Sequence, residues 1–240
     1  MALPEIVSRE EWLAARKALL VREKEATRAR DALNADRRRL PMVRVETEYV
    51  FEGPEGKASL AELFHGKRQL MLQHVMFHPD WEKACPSCTA GIDEFAPGLL
   101  KHLHARETEY VLVSRAPYDK LKAYAEEHGW FLNWYSSYGT DFNRDFGVTL
   151  DADAGLVEYN YGSRPELVGA GETSEQPGVS VFLKEGDGLF HTYSAFARGV
   201  DHIGGAYSLL DLTALGRQEA WEEPKGRYER ARTAVPDFAQ

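Results

Sequence analysis

The chain has 240 residues, 43% of them hydrophobic, which suffices for a full core in one elaborated domain. A formal charge of −9 argues against nucleic acid or an anionic membrane as the main partner. No run approaches the ~20 apolar residues of a membrane span, and Met1 to Ser8 lacks the basic and apolar regions of an export signal, so a cytoplasmic location is expected.

Ser8-Arg9-Glu10-Glu11 reads as a capping box that opens a long helix. The helix should run to about Arg39, where Leu40-Pro41 stops it. Trp12, Leu13, Leu19 and Leu20 give its first half an apolar patch, while the second half is mostly charged. A helix of that length cannot be covered all round by one core, and exposed apolar patches mark contacts, so a homodimer formed through this arm is expected.

Val43 to Phe51 alternates as one strand, Gly53-Pro54-Glu55-Gly56 is a turn, and Ala58 to Phe64 reads as a short helical turn. Leu70 to Phe77 is apolar almost throughout, as a central strand covered on both faces should be. The helix after Cys85 places Ile92, Phe95, Leu99 and Leu103 on one side, with a kink at Pro97-Gly98. Tyr110 to Val113 is a second buried strand. Pro117 to His128 is a helix closed by Gly129, and Trp130 to Tyr135 is a third strand. Such a β-α-β-α-β order requires parallel strands joined by right-handed crossovers. Leu156 to Tyr161 reads as an extra strand, and Glu166 to Gly178 as an acidic, glycine-rich loop. Val179 to Leu183 and Leu189 to Tyr193 form a hairpin about Glu185-Gly186-Asp187-Gly188, and a helix spans about Asp201 to Leu210.

The two cysteines of the chain are three apart, in Cys85-Pro86-Ser87-Cys88, at a strand-to-helix junction. Unpaired N–H groups and the positive dipole end at a helix start favour a thiolate, and a second thiol one turn on can close a disulfide with it. Pro86 has no N–H to lose and suits the first turn. The same pair could be half of a zinc site completed by two of the eight histidines, or two inert buried thiols. His74 and His78 bracket the end of the strand that leads into the motif, and Trp81 is placed to cover it.

A Cys-x-x-Cys helix start within β-α-β, then a proline-preceded hairpin and a last helix, resembles the thioredoxin fold. Phe51 to Phe64 with Gly66-Lys67 resembles the first hairpin of peroxiredoxins, and Asp145-Phe146-Gly147-Val148 a later segment of theirs. More closely, three blocks resemble a bacterial thioredoxin-like family of unknown function. They are Pro79-Asp80-Trp81 with the cysteine motif, Val113 to Pro117, and Val179 to Phe182 with Phe190 to Ser194. Ala84 stands where thioredoxin proper has Trp, and Glu82 where peroxiredoxins place Thr or Ser. The resemblance implies that Pro177 faces the thiols as the groove proline and that His191, on the late hairpin, runs beside them.

The expected architecture is α/β: a thioredoxin-like three-layer sandwich with a mixed central sheet. It has an N-terminal helical arm (1–40), a main domain (41–215) with an insertion at about 141–176, and a C-terminal tail (216–240). The expected function is thiol–disulfide exchange, with Cys85 as nucleophile, Cys88 resolving, Pro177 and Trp81 shaping the groove, and His191 and His78 in support. No cofactor or resident metal is expected. The partner would be a redox protein or thiol substrate, with no role for nucleic acid or membrane. Zinc or copper binding by the cysteines with His191 or His78, and a non-catalytic interaction protein, are the other readings.

Overall fold

The capping box forms at the start of the chain in a computed structural model that describes residues 3–201, 205, 212, 213, 219–221, 223 and 225. The Ser8 hydroxyl accepts from the Glu11 amide (3.2 Å), and the Glu11 carboxylate accepts from the Ser8 amide (2.9 Å). Helix α1 (Arg9–Arg37) follows; it buries none of its residues, and Trp12 is half exposed. The chain divides into two compact units, α1 belonging to the first and Met42 to Asp201 to the second.

In the second unit the stretch expected as one strand is two. Strand β1 (Val43–Arg44) pairs with the last strand of the sheet, whereas β2 (Val50–Gly53) joins its far end. The apolar alternation is interrupted by Glu46-Thr47-Glu48, and there the chain crosses from one edge to the other. A tight turn with Gly56 at positive φ leads from β2 to β3 (Gly56–Ser59). The helical turn expected over 58–64 is confined to a 3-10 turn at Glu62–Phe64, because Ala58 and Ser59 are already paired in β3. Gly53 is set by a close approach. A Cβ there would lie 2.3 Å from the Tyr135 ring, so Gly53→Ala should lower stability by the ~1–3 kcal/mol typical of overpacking. A thermal unfolding midpoint unchanged from the parent would contradict this.

Strand β4 (Gln69–His74) is the central one. Helices α2 (Pro86–Asp93) and α3 (Pro97–His104) carry the chain to β5 (Thr108–Ser114), parallel to β4. These are two helices, not one kinked helix. Ala96 is extended ahead of Pro97, so the helical phase restarts; Leu100 and Leu103 pack inward, and Leu99 stays exposed. Helix α4 (Tyr118–His128), closed by Gly129 in the left-handed region, leads to β6 (Trp134–Ser136), parallel to β5.

Residues 141–176 contain α5 (Phe142–Asp145), β7 (Thr149–Asp151), the small hairpin β8 (Glu158–Tyr159) and β9 (Gly162–Ser163), and β10 (Thr173–Glu175), paired with β7. The extra strand expected over 156–161 is thus half of that hairpin. Strands β11 (Gly178–Glu185) and β12 (Gly188–Phe196) form the expected hairpin, β11 antiparallel to β4. The helix expected over about 201–210 and the tail fall mainly outside the described residues.

The order β1-β12-β11-β4-β5-β6-β2-β3, with β4, β5 and β6 parallel, β11 antiparallel to β4 and β12 antiparallel to β11, is a mixed sheet of thioredoxin-like topology. Side-chain alternation divides the core into two faces. Leu70, Leu72, Val111 and Val113 point to one, with Phe51, Phe64 and Phe142. Tyr110 and Leu112 point to the other, where α2 and α4 bring Cys88, Ile92 and Leu121. This second face carries the thiols.

Candidate functional site

Cys85 is held where the chain turns from an extended segment into α2. Its N–H donates to the Met76 carbonyl (2.9 Å), and its own carbonyl accepts from the N–H (3.0 Å) and hydroxyl (3.1 Å) of Thr89. The Tyr124 hydroxyl lies 3.1 Å from that of Thr89, tying the junction to α4. Cys85 is the N-cap residue and Pro86 takes the first helical position. The backbone is therefore fully bonded while the Cys85 thiol is left at the free end of the helix.

Both thiols are free; Cys85 is half-buried and Cys88 buried. Their acidities are pushed apart. The Cys88 thiol donates to Cys85 and is the main cause that lowers the Cys85 thiol to about 6, against burial. The amides of Cys88 and Ser87 and the Ser87 hydroxyl also donate to it. Cys88 goes the other way, well above its usual value, because its proton is held by Cys85 and because burial disfavours its charge. At neutral pH the pair is one thiolate and one thiol sharing a proton.

The thiols open into a cavity of about 430 Å³. Pro177, Gly178 and Val179 form one wall, Ala90 and Gly91 of α2 with Glu94 just after it another, and the turn from Ala197 to Asp201 completes the lining. Tyr159 fixes two of these walls. Its hydroxyl donates to the Pro177 carbonyl (2.7 Å) and accepts from the Ala197 amide (2.8 Å). Ala197 has φ 48°, an unfavourable region for a residue with a Cβ.

The other residues singled out in the sequence lie around this cavity unequally. Trp81 packs against the same apolar cluster as Cys85, with its ring 6.0 Å from that of His78, but does not line the cavity. Lys120 holds the Trp81 segment by donating to the carbonyls of Pro79 (2.5 Å) and Trp81 (2.7 Å). His78 bonds Thr173 (2.9 Å), and burial lowers its pKa. His191 packs on the Phe146 and Phe182 rings, on the sheet face opposite α2, and lines a different cavity of about 400 Å³ with Tyr49, Asp145 and Tyr161.

On that opposite face a buried polar chain runs across three strands. His74 Nε2 is 2.9 Å from the Ser180 hydroxyl, which is 2.9 Å from the Ser194 hydroxyl, which is 2.8 Å from His191 Nε2. His74 is fully buried, and burial pushes its pKa down to about 3, so it stays neutral. Its residue borders the thiol cavity where β4 ends, but its ring packs on Phe142 and Phe146.

Sequence reading did not single out Gly91, Val179 or the turn at 197–200, which reach the cavity only through strand pairing and carry no local signal. It also missed Arg115 and Glu175, whose buried ion pair (2.6 Å) ends beside Thr173 and thus His78. Among the described residues, no group of three or more His, Cys, Asp or Glu side chains is arranged to hold a metal, and no helix is long and apolar enough to cross a membrane.

The sequence model of a bacterial protein family of unknown function (DUF899) matches residues 1–234. The chain belongs to that family. No curated protein matches it in sequence. Among solved structures, this DUF899 chain is similar to a cysteine-to-serine variant of Xanthomonas campestris peroxiredoxin Q, at 15% identity and TM-score 0.41 over 64% of this chain and 84% of that one. It is similar to the peroxidoxin BcpB of Mycobacterium tuberculosis, at 14% and 0.44 over 68% and 93%. A putative protein disulfide isomerase from Bacteroides thetaiotaomicron is similar at 14% and 0.37 over 68% and 88%.

Proposed function

We propose that this DUF899 protein is a thiol–disulfide oxidoreductase in which Cys85 attacks and Cys88 resolves. The observation that carries the reading is the division of the pair. Cys85 caps α2, half-buried and open to a cavity, with its thiol lowered to about 6, whereas Cys88 is buried and displaced well above its usual value. Ionisation is what makes a thiol a nucleophile, and a proton on the second thiol leaves it in reserve until the first has reacted. Pro177, beside the thiols, presents the edge along which a substrate disulfide would lie.

The test is stoichiometric. At one equivalent of an aromatic disulfide reagent per reduced chain, the parent protein should release both leaving thiols and close its own Cys85–Cys88 disulfide. Cys88→Ser should release one and retain the other as a mixed disulfide. Acidity adds a second readout. Because the Cys85 pKa is lowered to about 6, the rate should climb about tenfold per pH unit below that value and level off above it. A midpoint near that of an ordinary thiol, about 8.5, or equal release from parent and Cys88→Ser, would refute the assignment.

A further inference from the structure

The nature of the cavity at the thiols narrows what they act on, given the oxidoreductase reading above. A protein disulfide is reached across an open groove, with the thiol at the surface. Here the thiols lie in a recess of about 430 Å³, within the range of small-ligand sites. Met76, Ala90, Gly91, Pro177, Val179 and Val200 give it an apolar lining. The charged residues among its lining are engaged: Arg198 Nε donates to Asp201 (3.2 Å) and Glu94 accepts from the Gly205 amide (2.7 Å). Such a lining disfavours an ionised substrate, whose charge would lose its hydration there.

Gly91 lines the recess beside the thiols. It lies on α2 one turn beyond the cysteines, and a Cβ built there meets no atom of the described residues within 4 Å. A helix interior disfavours glycine by about 0.5–1 kcal/mol relative to alanine, so the residue costs the helix something while leaving space beside the thiols.

We propose that this cavity takes a small, neutral, largely apolar organic disulfide as the substrate of the Cys85–Cys88 pair. The Cys85 thiolate attacks one sulfur; a Cys85–substrate S–S bond forms as the substrate S–S bond breaks, and the first thiolate leaves and takes a proton from water. Cys88 then attacks the Cys85 sulfur and gives its proton to the second departing thiolate. Two electrons pass from the dithiol to the disulfide, the products are two small thiols and the Cys85–Cys88 disulfide, and a dithiol reductant restores the protein.

The experiment compares three substrates with dithiothreitol as the reductant: a neutral dialkyl disulfide, its dicarboxylate analogue and oxidised insulin. Rates over the reductant alone are measured for the parent, Cys85→Ser, Gly91→Ala and Gly91→Leu. The parent should prefer the neutral disulfide. Gly91→Leu should lose about tenfold or more of kcat/KM for it, the size of effect that a few methylenes exert in an apolar pocket, with Gly91→Ala between. The pH midpoint of iodoacetamide modification, which reports an intact Cys85 site, should stay near 6 in both variants. Insulin reduced as well as the neutral disulfide, a preference for the dicarboxylate, or a Gly91→Leu variant with full activity and an unchanged midpoint would overturn the cavity assignment and leave the oxidoreductase reading standing. Consumption of an alkyl hydroperoxide with the disulfides untouched would overturn it as well. A parent no faster than Cys85→Ser on every disulfide overturns both.

Discussion

Cys88→Ser is expected to accumulate stable, reducible adducts in cell extract, and Cys85→Ser almost none. At pH 7 a thiol with a pKa of about 6 is roughly 90% thiolate, against a few per cent for an ordinary cysteine. Cys88, displaced upward by burial and by its bond to Cys85, has still less. Nucleophilic capacity is therefore concentrated on one sulfur. Once Cys85 is joined to a substrate it can no longer hold the Cys88 proton, and burial beside the mixed disulfide makes Cys88 the nearest attacking group; serine cannot do this. The substituent chosen at 88 also separates two roles. A serine hydroxyl can still donate to Cys85, so the low pKa should largely survive, whereas Cys88→Ala removes the largest cause of the depression. Alkylation of Cys85 at pH 7 should thus stay fast in Cys88→Ser and slow in Cys88→Ala, with the midpoint moving upward from about 6. Equal adducts from the two serine variants would refute the assigned roles, and an unmoved midpoint in Cys88→Ala would refute the source of the acidity.

Much of this site could be read from short-range signals. Cys85, Pro86 and Cys88 announce the start of a helix through types that act locally, although the strand before it ends at His74, well short of the cysteines; Gly129 announces the end of α4 through its left-handed conformation. Leu70, Met71 and Leu72 announce a central strand as an unbroken apolar run between polar ends. What was not legible depends on partners far along the chain. Val43 and Phe51 share one alternating pattern, yet pair with strands at opposite ends of the sheet, and no local feature says so. The late hairpin as a whole points His191 toward the thiols, whereas its ring lies on the opposite face of the sheet. The period-two alternation that decides its face depends on the register with β11, which shifts between Val181 and Phe182. Composition misled most over residues 166–178. Acidic and glycine-rich, the segment reads as a solvated loop, whereas Glu175 is buried at the heart of a polar network. An acidic residue is buried where a cation meets it, and Arg115, 60 residues earlier, is that cation.

Glu175→Ala should therefore be among the most destabilising single changes in the chain, costing about 3–5 kcal/mol, the usual penalty for removing one partner of a buried pair. The carboxylate is 2% exposed and accepts from Arg115 Nε (2.6 Å), Thr149 Oγ1 (2.8 Å) and Asn143 Nδ2 (3.3 Å). Alanine leaves the guanidinium, itself only 16% exposed, without its counter-charge and strands a hydroxyl and an amide as well. Glu175→Gln keeps the shape and one of the two acceptor oxygens, enough for Thr149 and Asn143, so its loss should be clearly smaller; the difference between the two variants isolates packing from charge. The network also reaches the thiol side. Arg115 donates to Thr173 (3.0 Å), Thr173 is bonded to His78, and His78 stands beside Trp81 on the segment that enters the cysteine motif. Loss of Glu175 should accordingly release the strand β10 first, seen as faster amide exchange at 173–175 than over β4 and β5. Denaturant melts that give Glu175→Ala and Glu175→Gln the same stability, within about 0.5 kcal/mol of the parent, would show that the ion pair contributes nothing to the fold.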